Sequence, residues 1–288
     1  MLKKRIIANL AVKDGIVVQS RQFRSYLPVG KPEIAAAFLN SWGIDEIILN
    51  DISATKSSRG PDFEMVKRVA AKCQVPLTVG GGISNTAQIG LLLNCGADKV
   101  FLNNALLTNP ELVSKAASTF GEQCIVASID AIENGENFFA FDYTTQKNTR
   151  LKAAELAIKA QKLGAGEILI NSVERDGTYL GYDEKLVNSI CASVSVPVIA
   201  LGGARNAGDM LSVLKNTNAS AAAAGNFFHF SEHSVVISKS VISSQIPLRF
   251  ETQASYRNNP LDDNYRILKK DDKVLEELLF VKIENEVI

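Results

Sequence analysis

Glycine pairs, one carboxylate and four alternating charges are the residues of this chain whose types and spacing carry chemistry. Val79-Gly80-Gly81-Gly82 and Leu201-Gly202-Gly203 each close a short apolar run, and glycines there let backbone N–H groups approach an anion without side chains in the way. Asn103-Asn104 and Ala224-Gly225-Asn226 close two more runs. Two such pairs suggest two phosphate cradles; the plainer reading is that the glycines only serve tight turns. Asp130 ends the run from Cys124 and is placed as a general acid or base. Its counterpart in an internal repeat is Ala11, because Ile6-Ile7-Ala8-Asn9-Leu10-Ala11 lines up with Ile125-Val126-Ala127-Ser128-Ile129-Asp130. A two-carboxylate mechanism would therefore find one carboxylate. Asp51 and Asp176 are further acidic candidates, although Asp176-Gly177 is also a common turn pair. Arg5, Glu46, Lys99 and Glu167 open four runs: by default a solvated rim, otherwise a plug of two cations and two anions.

The elements that must position these groups alternate. Strands are expected at Arg5 to Leu10, Ile47 to Asp51, Leu77 to Gly80, Lys99 to Leu102, Cys124 to Asp130, Glu167 to Ser172, Val196 to Leu201 and Ala221 to Gly225, each followed by a helical pattern. After the second, Pro61-Asp62 opens a helix with Phe63, Val66, Val69 and Ala70 on one apolar stripe. The second half repeats the first at an offset close to 121, with Gly81-Gly82 matching Gly202-Gly203 and Gly60-Pro61-Asp62 matching Gly181-Tyr182-Asp183. Two four-unit copies make a (β/α)₈ TIM barrel the expected fold over residues 1–244, with active-site residues at the carboxyl ends of the strands. An open doubly wound sheet is the rival, but no G-x-G-x-x-G follows the first strand. Residues 245–288 form a C-terminal extension, read as a short helix then a strand near Val274, Leu275, Leu278, Leu279, Val281 and Ile283, packed outside the barrel.

Composition narrows the function. The 31 basic and 31 acidic residues leave no net charge, against a nucleic-acid binder. No run of about 18 apolar residues and no cleavable leader appear, so no membrane role and a cytoplasmic location are expected. Cys73, Cys95, Cys124 and Cys191 lie far apart, and the only histidines are His229 and His233; no metal site, thiol nucleophile or cofactor is expected. Such a chain cannot itself release ammonia from glutamine.

Together these residues resemble the cyclase subunit of imidazole glycerol phosphate synthase, a histidine-biosynthesis barrel that receives ammonia from a separate glutaminase subunit. The likeness runs from Met1 to about Ser244 and is carried by Arg5-Ile6-Ile7, Val12-Lys13-Asp14-Gly15, Gly80-Gly81-Gly82-Ile83, Gly96-Ala97-Asp98-Lys99, Lys147-Asn148-Thr149, Gly164-Ala165-Gly166-Glu167, Arg175-Asp176-Gly177-Thr178, Gly181-Tyr182-Asp183 and Phe228-His229-Phe230. The resemblance implies that Arg5, Glu46, Lys99 and Glu167 gate ammonia and that Asp98 lies where the glutaminase docks. It assigns Gly82 and Asn103, with Asn104 beside them, to one phosphate, and Asp176, Gly177, Gly203, Ala224 and Gly225 to the other. It also implies a pair of catalytic aspartates, of which Asp130 is present and the first is Ala11. Gln19, Asn171 and Leu201 stand where the family has a lysine, a threonine and a serine.

An absent general acid or base removes about 10² to 10⁴-fold in rate. The departures predict an ammonia-accepting paralogue with a different acceptor; relatives resembling it in this respect are associated with amidination of surface-polysaccharide sugars. A non-catalytic barrel that only activates the glutaminase and conducts ammonia is the alternative. An aminoaldose–ketose isomerase is a third reading, which leaves the charged gate without a purpose.

Overall fold

Parallel strands covered on both faces must be apolar nearly throughout, and the runs above meet that condition. The computed structural model describes residues 3–229, 233–249, 256, 259–268 and 271–274. The elements in order are β1 (Arg5–Lys13), β2 (Ile16–Arg21), β3 (Ser25–Gly30), α1 (Pro32–Ser41), β4 (Glu46–Asp51), α2 (Phe63–Ala70), β5 (Leu77–Gly80), α3 (Thr86–Asn94), β6 (Lys99–Leu102), α4 (Asn104–Thr108), α5 (Glu111–Phe120), β7 (Ile125–Asn134), β8 (Asn137–Asp142), β9 (Lys147–Lys152), α6 (Ala153–Lys162), β10 (Glu167–Ser172), α7 (Glu184–Cys191), β11 (Val198–Leu201), α8 (Ala207–Asn216), β12 (Ala221–Ala224) and α9 (Ser234–Ser243). Parallel pairing runs β1-β4-β5-β6-β7-β10-β11-β12 and returns to β1, so eight strands close into a (β/α)₈ barrel and the open sheet is excluded.

The expectation that a helix follows every strand fails twice. β1 and β7 run beyond the barrel rim and turn into antiparallel excursions, β2–β3 and β8–β9. Asp14 and Gly15 take positive φ of 52° and 81° at the first turn and Gly135 takes 62° at the second, which right-twisted hairpins favour. The two excursions leave the first strand of each half, so the repeat extends to them. It extends also to the helix caps. Asp62 accepts from the Met65 N–H at 2.9 Å and Asp183 from Leu186 at 3.0 Å; Asn85 accepts from Gln88 at 2.9 Å and Asn206 from Asp209 at 3.1 Å. Each cap of this kind contributes about 1 kcal/mol.

Below the strands, Asp45 accepts a hydrogen bond from the Ile6 N–H at 2.7 Å and pairs with Lys239 of α9 at 2.7 Å, both side chains 1% exposed. The extension begins beside this staple: Lys4 donates to the Pro247 carbonyl and accepts from Arg249. Further on, Tyr265 lies against Gly208 of α8, where a side chain would collide with its ring. Leu275, Leu278, Leu279, Val281 and Ile283, with Ser255, Arg257 and Asn258, lie outside the described residues.

Successive inward residues of a strand are two apart, so the barrel interior is built in levels. The middle of the interior is apolar: Ile7, Ile48, Phe101, Val126, Leu169, Ile199 and Ala223 pack together, with Ala221 beside Arg5 below and Leu201 beside Asn171 above. Gly80 has no side chain there because the Phe101 ring occupies that space. Four strands repeat one triplet through the levels: Arg5-Ile7-Asn9, Glu46-Ile48-Asn50, Lys99-Phe101-Asn103 and Glu167-Leu169-Asn171.

Candidate active site

At the foot the four charges form a closed ring rather than a solvated rim. Arg5 pairs with Glu46 at 2.8 Å and with Glu167; Lys99 reaches Glu46 at 3.0 Å and Glu167 at 3.0 Å. Thr78 Oγ1 donates to Glu46 at 2.7 Å from inside. None of the four side chains is more than one-fifth exposed. Each charge has two opposite neighbours, which is what makes a buried ionic cluster tolerable. Asp98, beside Lys99, is exposed on the same end and accepts from the Leu77 N–H at 2.8 Å.

At the mouth, Asp130 lies 8% exposed between two amides. Asn171 donates to its Oδ1 at 3.0 Å and Asn103 to its Oδ2 at 3.0 Å. Burial pushes the carboxyl up to about 7, against the two amide donors that favour its charged form; Asp176 adds a small upward push. A group that titrates near neutrality suits general acid or base work. Ala11 lines the same cavity with a methyl group. Among the described residues the other candidate acids are engaged elsewhere or exposed. Asp51 is held by the Ser53 and Ala54 N–H groups, Ser53 Oγ and Arg59. Asp14 is exposed in the first hairpin turn. Asp176 faces the cavity, but Ser20 Oγ donates to it at 2.6 Å, as do the Gln22 and Phe23 N–H groups.

The glycine pairs flank this cavity. Gly82 and Gly203 have φ of 71° and 98°, and a Cβ at either would strike the backbone of Gly60 or Gly181, themselves repeat mates. Gly82 and Asn103 line the main cavity, with the Gly82 N–H donated to Thr55 Oγ1 at 3.1 Å. Asp176, Gly177, Gly202, Gly203, Ala224, Gly225 and Asn226 line an adjoining recess. Asn226 ties that recess to the first hairpin, accepting from the Ser20 N–H at 3.1 Å and donating to its carbonyl at 2.7 Å. Asn171 and Leu201 line the cavity. Two expected residues do not: Asn104 turns its side chain to Thr108 at 3.3 Å, and Gln19 sits on β2 opposite Leu27.

Sequence reading missed the cavity walls contributed by the hairpins. Phe23, Tyr26 and Tyr143 all line it. Tyr143 shares a hydrogen bond with Thr55, and burial pushes its phenol up to about 12, so it stays protonated. Lys56 lies 5.9 Å from its ring centre. The turn pairs Asp14-Gly15 and Asn134-Gly135 were the available signal. Asn9 and Asn50 were also missed, although each stands two residues beyond an inward apolar position. Among the described residues no cluster of metal-ligating side chains occurs, all four cysteines are free thiols, and no helix is long and apolar enough to cross a membrane.

A closed barrel with these levels falls in the class of histidine-biosynthesis barrels: residues 5–234 match the family described as Histidine biosynthesis protein. The chain is 40% identical over 263 residues to a Vibrio vulnificus protein provisionally named imidazole glycerol phosphate synthase subunit hisF2, covering 91% of this chain and 97% of that one. It is 40% identical to imidazole glycerol phosphate synthase subunit HisF of Lactococcus lactis subsp. cremoris over 86% of this chain and 97% of that one, and to HisF of Dehalococcoides mccartyi over 87% and 100%. The chain belongs to the HisF family.

Proposed function

We propose that this protein is the ammonia-accepting, cyclase-type subunit of an imidazole glycerol phosphate synthase-like complex, and that its acceptor differs from the histidine-pathway ribotide. A glutaminase subunit docks at the foot near Asp98. Ammonia passes the ring of Arg5, Glu46, Lys99 and Glu167, crosses the apolar middle level and meets a phosphorylated small molecule held between the cradles at Gly82 and Asn103 and at Gly177, Gly203, Ala224 and Gly225. Asp130, titrating near neutrality, moves the proton. The names of the relatives support the complex and the pathway class; four free thiols fit a cytoplasmic setting.

The observation that carries the altered acceptor is Ala11, a methyl group lining the cavity that Asp130 also lines, with Asp51 and Asp176 both held elsewhere. A surface-polysaccharide sugar gaining an amidine nitrogen is the acceptor class we infer. The test is turnover of the phosphoribulosyl aminoimidazole carboxamide substrate with an ammonium salt, for this protein and its Ala11→Asp variant. The expected result is negligible turnover in the parent and a gain of at least about 10²-fold in the variant. Substantial parent turnover would return the protein to ring closure in histidine biosynthesis. If Asp130→Asn leaves the product-forming activity of the glutaminase complex unchanged, the barrel is a conduit instead of an enzyme.

A further inference from the structure

The upper level of the barrel holds more hydrogen-bond acceptors than the protein uses. Asn103 and Asn171 both spend their Nδ2 groups on Asp130, which fixes the orientation of their amides. Their Oδ1 atoms, one amide-width from the carboxylate, are buried and accept nothing from the described residues. Asn9 Oδ1 is in the same condition, and Asn171 as a whole is 5% exposed. All three asparagines and Asp130 line one cavity. The charged side chains lining it are Asp130, Asp176 and Lys56, and Lys56 belongs to the loop after β4, above the asparagine level. Asp176 likewise belongs to the loop after β10, so the charged group at the asparagine level is Asp130. A buried acceptor left without a donor is unfavourable, so a ligand group bringing N–H donors fits this place.

We infer that Asn9, Asn103, Asn171 and Asp130 form a binding station for a compact nitrogen group rich in N–H bonds, either ammonia itself or the amine or amidine nitrogen of the acceptor. This deepens the reading of the barrel as an ammonia-using synthase and rests on it for its purpose, but not for its test. Held through N–H bonds to amide oxygens, ammonia keeps its lone pair free. As that pair forms the new C–N bond, the bond from the attacked carbon to its leaving group breaks and its electrons depart with that group. The nitrogen then sheds one proton, which the ionised Asp130 carboxylate accepts.

Protein labelled with ¹⁵N at asparagine is titrated with ammonium, methylammonium, guanidinium, tetramethylammonium and potassium chlorides at pH 8 and constant ionic strength, following the side-chain amide signals of Asn103 and Asn171. Saturable shifts with ammonium, methylammonium or guanidinium, absent with tetramethylammonium and potassium, are expected. Asn171→Leu should weaken the binding at least tenfold, read on Asn103. Tighter binding of ammonium than guanidinium assigns the station to ammonia; the reverse order assigns it to the acceptor's own nitrogen. Equal shifts with potassium would mark a plain cation site and overturn the inference, as would shifts with every salt or none. No acceptor is needed, so failure here leaves the synthase reading standing, while turnover by the parent in the Ala11→Asp comparison tests that reading alone.

Discussion

The same four strands meet the two ends of the barrel in opposite ways. At the foot, β1, β4, β6 and β10 each present a charged side chain, and every charge is paired twice. Two levels higher the same strands each present an asparagine, and three of the four amide oxygens find no donor among the described residues. The foot is satisfied by its own chain; at the mouth three buried amide oxygens are left without a partner among the described residues. Groups that a fold satisfies internally hold it shut, while buried polar groups it leaves unsatisfied cost it stability and call for an explanation, for which the mouth offers a ligand.

The largest expected effect breaks the foot. Glu46→Gln removes one anion from beneath two cations and Thr78, which should destabilise the barrel by about 3 kcal/mol, measurable as a lowered urea midpoint with unchanged slope. A smaller effect comes from protons at the mouth. Because the folded Asp130 carboxyl titrates near 7, a ligand that needs it ionised binds more tightly as pH rises through 7. Ammonium-type binding should be about tenfold weaker at pH 6 than at pH 8. Asp176, Tyr143 and Lys56 also face the cavity; burial raises the first two, and Asp130→Asn should abolish the dependence if Asp130 is its source. The smallest effect sharpens the contrast by its sign: Asn9→Leu discards an unpartnered buried amide and should stabilise the protein by about 1 kcal/mol, seen as a rise in Tm. An equal loss at both ends would show that the mouth is as internally satisfied as the foot.

Much of this was legible in the chain because periodicity and the repeat are properties of local spacing. Strand and helix followed from apolar runs and from caps such as Asp62 and Asp183, and Gly82 and Gly203 fell at equivalent turns. The hairpins were misread because β1 and β7 lengthen smoothly beyond the rim, and their only sign was a pair of turn glycines. Asn9 and Asn50 escaped notice for another reason: an asparagine in an apolar strand says nothing until the inward face is known. Whether the four charges met one another depended on closure of the barrel, which brings residues 162 positions apart, Arg5 and Glu167, into contact.

The buried pair of Asp45 and Lys239 joins residues 194 positions apart, and this makes the lower edge of the barrel depend on its last helix. Until α9 has been made, Asp45 has no counter-charge, and sealing it beneath the strands is strongly unfavourable. A chain truncated before Lys239 keeps every barrel strand yet leaves Asp45 without its counter-charge, and should show a lowered urea midpoint relative to the full chain.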